Sequence, residues 1–310
     1  MPLPPALQGR LKAPIVAAPM FLVSNPDLVV ETCRAGLLGT FPTLNQRSTA
    51  AFGDWIDEID GRLAHVANAA PFGVNLIVHR SNSRLEADLA LTVAKKVPLV
   101  ITSLGAVPDV VKAVHSYGGL VFHDVISRRH AEKAVEAGVD GIIAVCAGAG
   151  GHAGTLSPFA LIPEIRAMFD GTILLSGAMS TGAHVAAARL MGADLAYLGT
   201  RFIATRESGA QAEYKEMLVG TSATDVLYTA AISGVNANFL RPSIIAAGLD
   251  PDALPPHAKL DMDSEARAWK SVWSAGQGVG SVHDIPATAD LCQRLIAEYQ
   301  AARDGAATLL

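Results

Sequence analysis

Cysteine is scarce in this chain of 310 residues, with Cys33, Cys146 and Cys292 the full set. Three thiols without close spacing make neither a disulfide framework nor a zinc-binding pattern, which suits a reducing compartment. Basic blocks are missing too. The formal net charge is −5, and no cluster of lysine and arginine offers a nucleic-acid surface. No uninterrupted run of about 18 apolar residues occurs, so no membrane span is expected. Residues Met1–Arg10 lack the apolar core of a secretory leader, and a cytoplasmic location is the expectation.

Hydrophobic residues make up 50% of the chain and charged residues 17%, a balance that suits a large buried sheet. Eight short apolar runs supply that sheet: Ile15–Pro19, Gly36–Phe41, Phe72–Ile77, Leu99–Leu104, Leu120–Val125, Gly141–Cys146, Ile173–Ala178 and Leu195–Thr200. Helical patterns lie between most of them, at Pro26–Ala35, Val107–His115, Ser127–Gly138, Pro158–Phe169 and Thr181–Gly192. Strands alternating with helices imply a parallel sheet covered on both faces. Eight repeats predict an α/β fold closed as a (β/α)8 TIM barrel, with its chemistry at the strand C-termini. Such a barrel commonly needs about 250 residues, so the surplus predicts a small addition. The pattern changes after Arg206. Residues 1–206 and 276–310 are therefore read as the barrel, and 207–275 as a mainly helical cap over its mouth. Within the cap, Ala210–Ser222 and Ala266–Ser274 read as helices, Val226–Ile232 as strand or irregular, and the proline-containing Leu240–Ala258 as loop. The helix Pro286–Ala302 should close the barrel beside the first helix.

Several strand ends carry residues suited to chemistry. The seventh run ends Ser176-Gly177-Ala178 and the eighth ends Leu198-Gly199-Thr200-Arg201-Phe202. Bare backbone amides at these neighbouring positions favour an anion, and barrels often hold phosphate there. Tight turning is the structural alternative for both glycines. Past the sixth run, Ala147-Gly148-Ala149-Gly150-Gly151-His152-Ala153-Gly154 surrounds one histidine with glycine. The imidazole of His152 suits proton transfer or anion orientation. Cys146 reads as a packed small hydrophobe rather than a nucleophile. Asn75, with donor and acceptor on one amide, suits the edge of a planar cofactor ring such as flavin, or a turn cap. Met20 suits the face of such a ring or the barrel rim. Thr102 and Ser103 are candidates for the same cavity. His123 and Asp124 with His152 make a thin metal-ligand set, and no metal is assigned.

Taken in order, Ala18-Pro19-Met20, Pro71-Phe72-Gly73-Val74-Asn75, Ala149-Gly150-Gly151-His152-Ala153-Gly154, Ser176-Gly177 and Leu198-Gly199-Thr200-Arg201-Phe202 resemble the nitronate monooxygenase family, formerly the 2-nitropropane dioxygenases. The likeness spans about Pro14 to Thr205 and returns in Gly276–Ala302. It implies an FMN-binding barrel that oxidises alkyl nitronates with O2 to a carbonyl compound and nitrite. Carried over by position, Met20, Asn75, Gly150 and Gly151 would lie beside the flavin. Ser176, Gly177, Ala178, Gly199 and Thr200 would hold its phosphate, His152 would be the catalytic histidine, and Gln277 would approach the ring.

Two positions depart from that pattern. Ala178 stands where the family often has a second glycine, and Asp124 stands where some members carry lysine or serine. A carboxylate near the ring would disfavour an anionic reduced flavin. Relatives of this kind include NAD(P)H-dependent quinone and enoyl-thioester reductases, which remain the alternative. A flavin-free lyase or isomerase of a phosphorylated metabolite is a further one, and a pure binding module another. Tyr228, Ser233, Asn236, Asn238 and Arg241 are either substrate contacts or cap anchors, and an oligomer is possible.

Overall fold

The computed structural model describes residues 3–105, 108–254 and 270–308. Eight parallel strands close into a barrel: β1 (Ile15–Ala17), β2 (Leu38–Pro42), β3 (Phe72–Ile77), β4 (Leu99–Ser103), β5 (Leu120–Val125), β6 (Gly141–Val145), β8 (Thr172–Ser176) and β9 (Leu195–Leu198). Strand β1 pairs with β2 on one side and β9 on the other, which completes the ring. Each of the eight apolar runs is thus a barrel strand, and the expected architecture holds.

The crossover helices are α1 (Pro26–Arg34), α2 (Thr49–Leu63), α3 (Leu85–Ala94), α4 (Pro108–His115), α5 (Arg128–Ala137), α6 (Pro158–Arg166) and α7 (Gly182–Leu190). Local capping explains where several begin. The Asn25 side chain accepts from the Leu28 amide at 2.9 Å, with Pro26 at the first helical position. Ser127 and Thr181 cap α5 and α7 in the same way. Gly138, left-handed at φ 82°, ends α5. The helical patterns named above omit α2 and α3. The C-terminal helix Thr288–Ala306 packs against α7 and α1, beside the first helix as expected.

Side-chain alternation decides which residues reach the interior. Val16, Leu38, Leu99, Ile101, Phe122, Ile143, Leu174 and Leu195 pack together inside the barrel. Their strand neighbours Ile15, Ala17, Val100, Val121, Ile142, Ile173 and Leu175 belong to the outer core under the helices. Each such fully buried Val, Leu, Ile or Phe side chain stabilises the fold by roughly 1.5–3 kcal/mol. Gly141 is small because a Cβ there would overlap the Phe122 ring. With a period of two, the same inward face continues through Asn75, Ser103, Asp124, Ser176 and Tyr197 toward the strand C-termini.

After Arg206 the described residues hold a helix within 210–222 and a strand at the start of 226–232, as read from sequence, and a short helix inside the stretch expected as loop. Helix α8 (Thr200–Ile203) follows β9, then come α9 (Ala212–Val219), β10 (Val226–Thr229), β11 (Ala237–Leu240) and α10 (Arg241–Ala246). Strands β10 and β11 form an antiparallel pair, and β11 also pairs with β7, the dipeptide Gly151–His152. Among the described residues the capping unit sets this small antiparallel pair beside its helices, and it recruits a strand from the loop after β6. The reason is register: Ala237 sits opposite His152 and Asn238 opposite Gly151, pairing that no local pattern announces. Of the expected helix Ala266–Ser274, positions 266–269 lie outside the described residues, Lys270 and Ser271 are helical, and Ser274 instead makes a β-bridge to Phe239. Among the described residues, no helix is long and apolar enough to cross a membrane.

Candidate active site

A cavity of about 1320 Å³ opens at the C-terminal ends of the strands. Its wall includes Met20, Asn75, Gly150, Gly151, His152, Ser176, Gly177, Ala178, Gly199 and Thr200, all positions singled out from sequence. Gln277 is the exception. It is exposed and off the wall, while its neighbours Gly276 and Gly278 line it. The Gln277 amide donates to the Gly148 carbonyl at 2.9 Å, so its observed contact braces the glycine loop.

The polar floor comes from three adjacent strands. Asn75 Nδ2 on β3 donates to Ser103 Oγ on β4 at 2.8 Å and to the Ile101 carbonyl at 3.2 Å. Ser103 Oγ donates in turn to Asp124 Oδ2 on β5 at 2.5 Å. The other carboxylate oxygen, Asp124 Oδ1, is buried without a hydrogen-bond partner. Burial pushes the Asp124 carboxyl up to about 6, against the lowering effects of Ser103 and of the nearby His152. Tyr197, inward on β9, has its phenol held well above its ordinary value by burial and by the Asp124 charge. His123 also lines the cavity. Its Nδ1 meets Thr102 Oγ1 at 2.8 Å, and burial lowers its imidazole to about 4. Thr102 is not on the cavity wall, whereas Ser103 is. Among the described residues, no group of three His, Cys, Asp or Glu side chains is placed to hold a metal ion.

Three backbone segments meet tightly beside this floor. A Cβ on Gly150 would fall 2.9 Å from the Gly276 amide nitrogen, and one on Gly276 would fall 2.6 Å from the Gly148 carbonyl oxygen. Close packing of the chain against itself thus accounts for much of the local glycine. Gly151 differs: at φ 70° a Cβ would meet nothing within 4 Å. At the end of β8, Gly177 has φ 149° and Ala178 φ 53°, a left-handed turn that includes a non-glycine residue.

His152 is delivered by the cap. Ser274 Oγ accepts from the Gly151 amide at 2.7 Å and donates to the Asn238 carbonyl at 2.5 Å. Asn238 Nδ2 donates to the Ala149 carbonyl at 2.6 Å, and Tyr228 Oη donates to the Ala153 carbonyl at 3.0 Å. The Tyr214 hydroxyl donates to the Ser274 carbonyl, and its ring stacks on Trp273 at 4.9 Å. Asn236 and Tyr228 line the cavity, whereas Asn238 and Arg241 act as anchors, Arg241 pairing with Asp252 at 2.8 Å. Ser233 is buried, and its hydroxyl donates to the Val235 carbonyl. Sequence reading missed Tyr197, Tyr214, Trp273 and Ser274. Strand parity would have found Tyr197, two residues beyond the inward Leu195. Cys146 is buried, and loss of solvent pushes its thiol up to about 12, which removes it as a nucleophile at neutral pH.

The family model for nitronate monooxygenase matches residues 6–298. The chain belongs to the nitronate monooxygenase family. A nitronate monooxygenase from Paraburkholderia phytofirmans is 28% identical, over 93% of this chain and 92% of that protein. Rhodococcus jostii contributes a (3aS,4S,5R,7aS)-5-hydroxy-7a-methyl-1-oxo-octahydro-1H-indene-4-carboxyl-CoA dehydrogenase at 24% identity, over 75% of this chain and 64% of that one. Among solved structures, nitroalkane oxidase from Streptomyces ansochromogenes superposes with a TM-score of 0.85 at 24% identity, covering 97% of this chain and 99% of the other. FabK from Thermotoga maritima gives 0.79 at 22%, covering 97% and 96%. Both structures share the barrel with this nitronate monooxygenase family member, which is thereby an oxidoreductase by family.

Proposed function

We propose that this chain is an FMN-dependent nitronate monooxygenase that oxidises alkyl nitronates with O2 to a carbonyl compound and nitrite. Atoms balance as two nitronates and one O2 giving two carbonyl compounds and two nitrite ions. The observation that carries the reading is one cavity bounded by His152, by the inward polar strand ends and by the Gly177–Ala178 turn. At about 1320 Å³ it exceeds the roughly 300–1,000 Å³ of common small-molecule sites, so cofactor and substrate fit together.

The residues present suit FMN. The bent backbone at Gly177–Ala178, with Gly199 and Thr200 beside it, fits a terminal phosphate, and Asn75 and Met20 fit the ring edge and face. FMN when bound would supply the electron acceptor. The chain supplies the rest. His152 takes the α-proton of a neutral nitroalkane or, when protonated, holds the nitronate by charge. Tyr214, Tyr228, Asn236 and Trp273 of the cap line the mouth and would keep water from the reacting carbon.

Visible absorbance of the purified protein tests this directly. A flavin spectrum that bleaches on anaerobic addition of propionate-3-nitronate, and not with NADH, is expected. Rapid bleaching by NADH or NADPH alone would instead establish the reductase reading, to which the FabK-like fold lends weight. A colourless protein that FMN cannot reconstitute would overturn both.

A further inference from the structure

We propose that Lys133 and Lys270 are specificity-determining residues, a pair of cations at the cavity mouth that draws anionic substrates in and ranks them above neutral ones of the same size. That the anion is a nitronate rests on the reading above. Charge on this wall runs against the rest of the chain. The protein as a whole is acidic, with 29 Asp and Glu against 24 Lys and Arg. The cavity inverts that ratio: among the described residues Asp124 is the one carboxylate on its wall, while Arg84, Lys133 and Lys270 all reach it.

These three cations are not equivalent. Arg84 is committed to Asp88 at 2.9 Å and to the Gln46 carbonyl. Lys133 lies on α5 next to Glu132, but Glu132 is taken by Arg128 at 3.0 Å. Neither Lys133 nor Lys270 is paired with a carboxylate among the described residues. Both are exposed, as befits groups that act at a mouth. Their place also separates them from the turns suited to a phosphate. Gly177–Ala178 and Gly199–Thr200 follow β8 and β9, whereas α5 follows β5, two and three strands away round the ring, and Lys270 comes from the cap.

An anion entering this cavity moves toward Asp124, mostly ionised at pH 8 because burial raises its carboxyl only to about 6. FMN, when bound, adds the charge of its phosphate. Both repel the incoming substrate. His123 offers no relief, since burial lowers its imidazole to about 4 and leaves it neutral. His152 is coupled to Asp124 at the floor, and His130 shares the cavity-facing side of α5 with Lys133. Permanent positive charge at the entrance therefore comes from the two lysines. A concave wall focuses their field, and it reaches about 30 Å at 0.01 M salt but only about 8 Å at 0.15 M.

Two measurements on the holoenzyme at pH 8 test the pair. At about 10 mM ionic strength the ratio of kcat/KM for ethylnitronate to that for nitroethane should fall at least about tenfold in Lys133→Glu/Lys270→Glu. At about 300 mM the two proteins should agree within about threefold. A ratio that does not move, or a fall that salt leaves intact, overturns the proposal. Separately, nitrate, an inert planar anion, is titrated calorimetrically at the lower ionic strength. It should bind wild type at least about fivefold more tightly than the double variant. Nitrate bound equally by both proteins, or by neither, overturns the role of the lysines whatever reaction the enzyme performs. If wild type turns over neither compound, the proposed function fails, and the nitrate comparison alone decides. Should the double variant not fold, Lys133→Gln is read in the same two ways, with about a threefold change expected in each.

Discussion

Ser274 Oγ accepts the Gly151 amide proton at 2.7 Å, bridging 123 positions of sequence one residue before His152. The contact ties the cap to the loop that presents the histidine. Ser274→Ala should leave that amide unsatisfied and destabilise the fold by about 1–3 kcal/mol. Misplacement of His152 should lower kcat by at least about tenfold with FMN content unchanged. Flavin-normalised kinetics beside urea unfolding separate the two effects.

His152→Ala should reduce turnover of a neutral nitroalkane by about 10²–10⁴-fold, the usual weight of a positioned general base. Preformed nitronate needs no proton removed, so its rate should fall much less. The flavin spectrum should persist. Undiminished nitroalkane turnover would show that another group takes the proton.

Asp124 also leaves a signature in stability. Its carboxyl is raised by burial from the ordinary 3.8 to about 6, so between these values the folded chain keeps a proton that the unfolded chain has lost. Its contribution to stability is therefore lost as pH rises through 4 to 6, by up to about 3 kcal/mol, and stays lost above. Asp124→Asn should be more stable than wild type at pH 7.5 and level with it near pH 4. Paired denaturant titrations at those two values measure the difference.

Ala178 holds a left-handed φ of 53° where glycine would be unstrained. Ala178→Gly should stabilise the protein by about 0.5–1 kcal/mol, the relief of strain being partly offset by the freer unfolded chain. A lower midpoint in urea would mean that the methyl contributes packing that outweighs the backbone term.

Gly182 opens α7 against the C-terminal helix. A Cβ there would overlap the Tyr299 amide and the Leu295 carbonyl, while the Gly182 amide donates to Glu298 Oε2 at 2.7 Å. Gly182→Ala should cost about 2–3 kcal/mol by forcing the helices apart. Thermal unfolding reads this, and limited proteolysis should show earlier loss of residues after Thr288.

The barrel was legible because its signals are local. Phe72–Ile77 and Leu120–Val125 are strands with the very bounds their apolar runs suggest, since a strand buried on both faces cannot disguise its composition. Helix α2 left a readable stripe in Phe52, Ile56 and Ile59, but its neighbouring charges and Gly53 blurred the pattern. At the site, short glycine motifs marked the wall because close backbone approach demands them. Gln277 did not follow, as it faces solvent between two glycines that do line the cavity. The cap resisted for a different reason. Strand β7 is two residues long, with a glycine in one of them, and becomes a strand only through β11, some 85 positions later in the chain.

That shared strand limits how such enzymes can be recombined. A chimera that takes residues 207–275 from a relative, while leaving the native 147–154 loop in place, would set foreign hydrogen-bonding edges against His152. Grafting the two segments as one transplant unit keeps the pairing of Ala237 with His152 and of Asn238 with Gly151. Substrate scope in this scaffold is accordingly inherited in pairs of distant segments, and engineering libraries should vary them jointly.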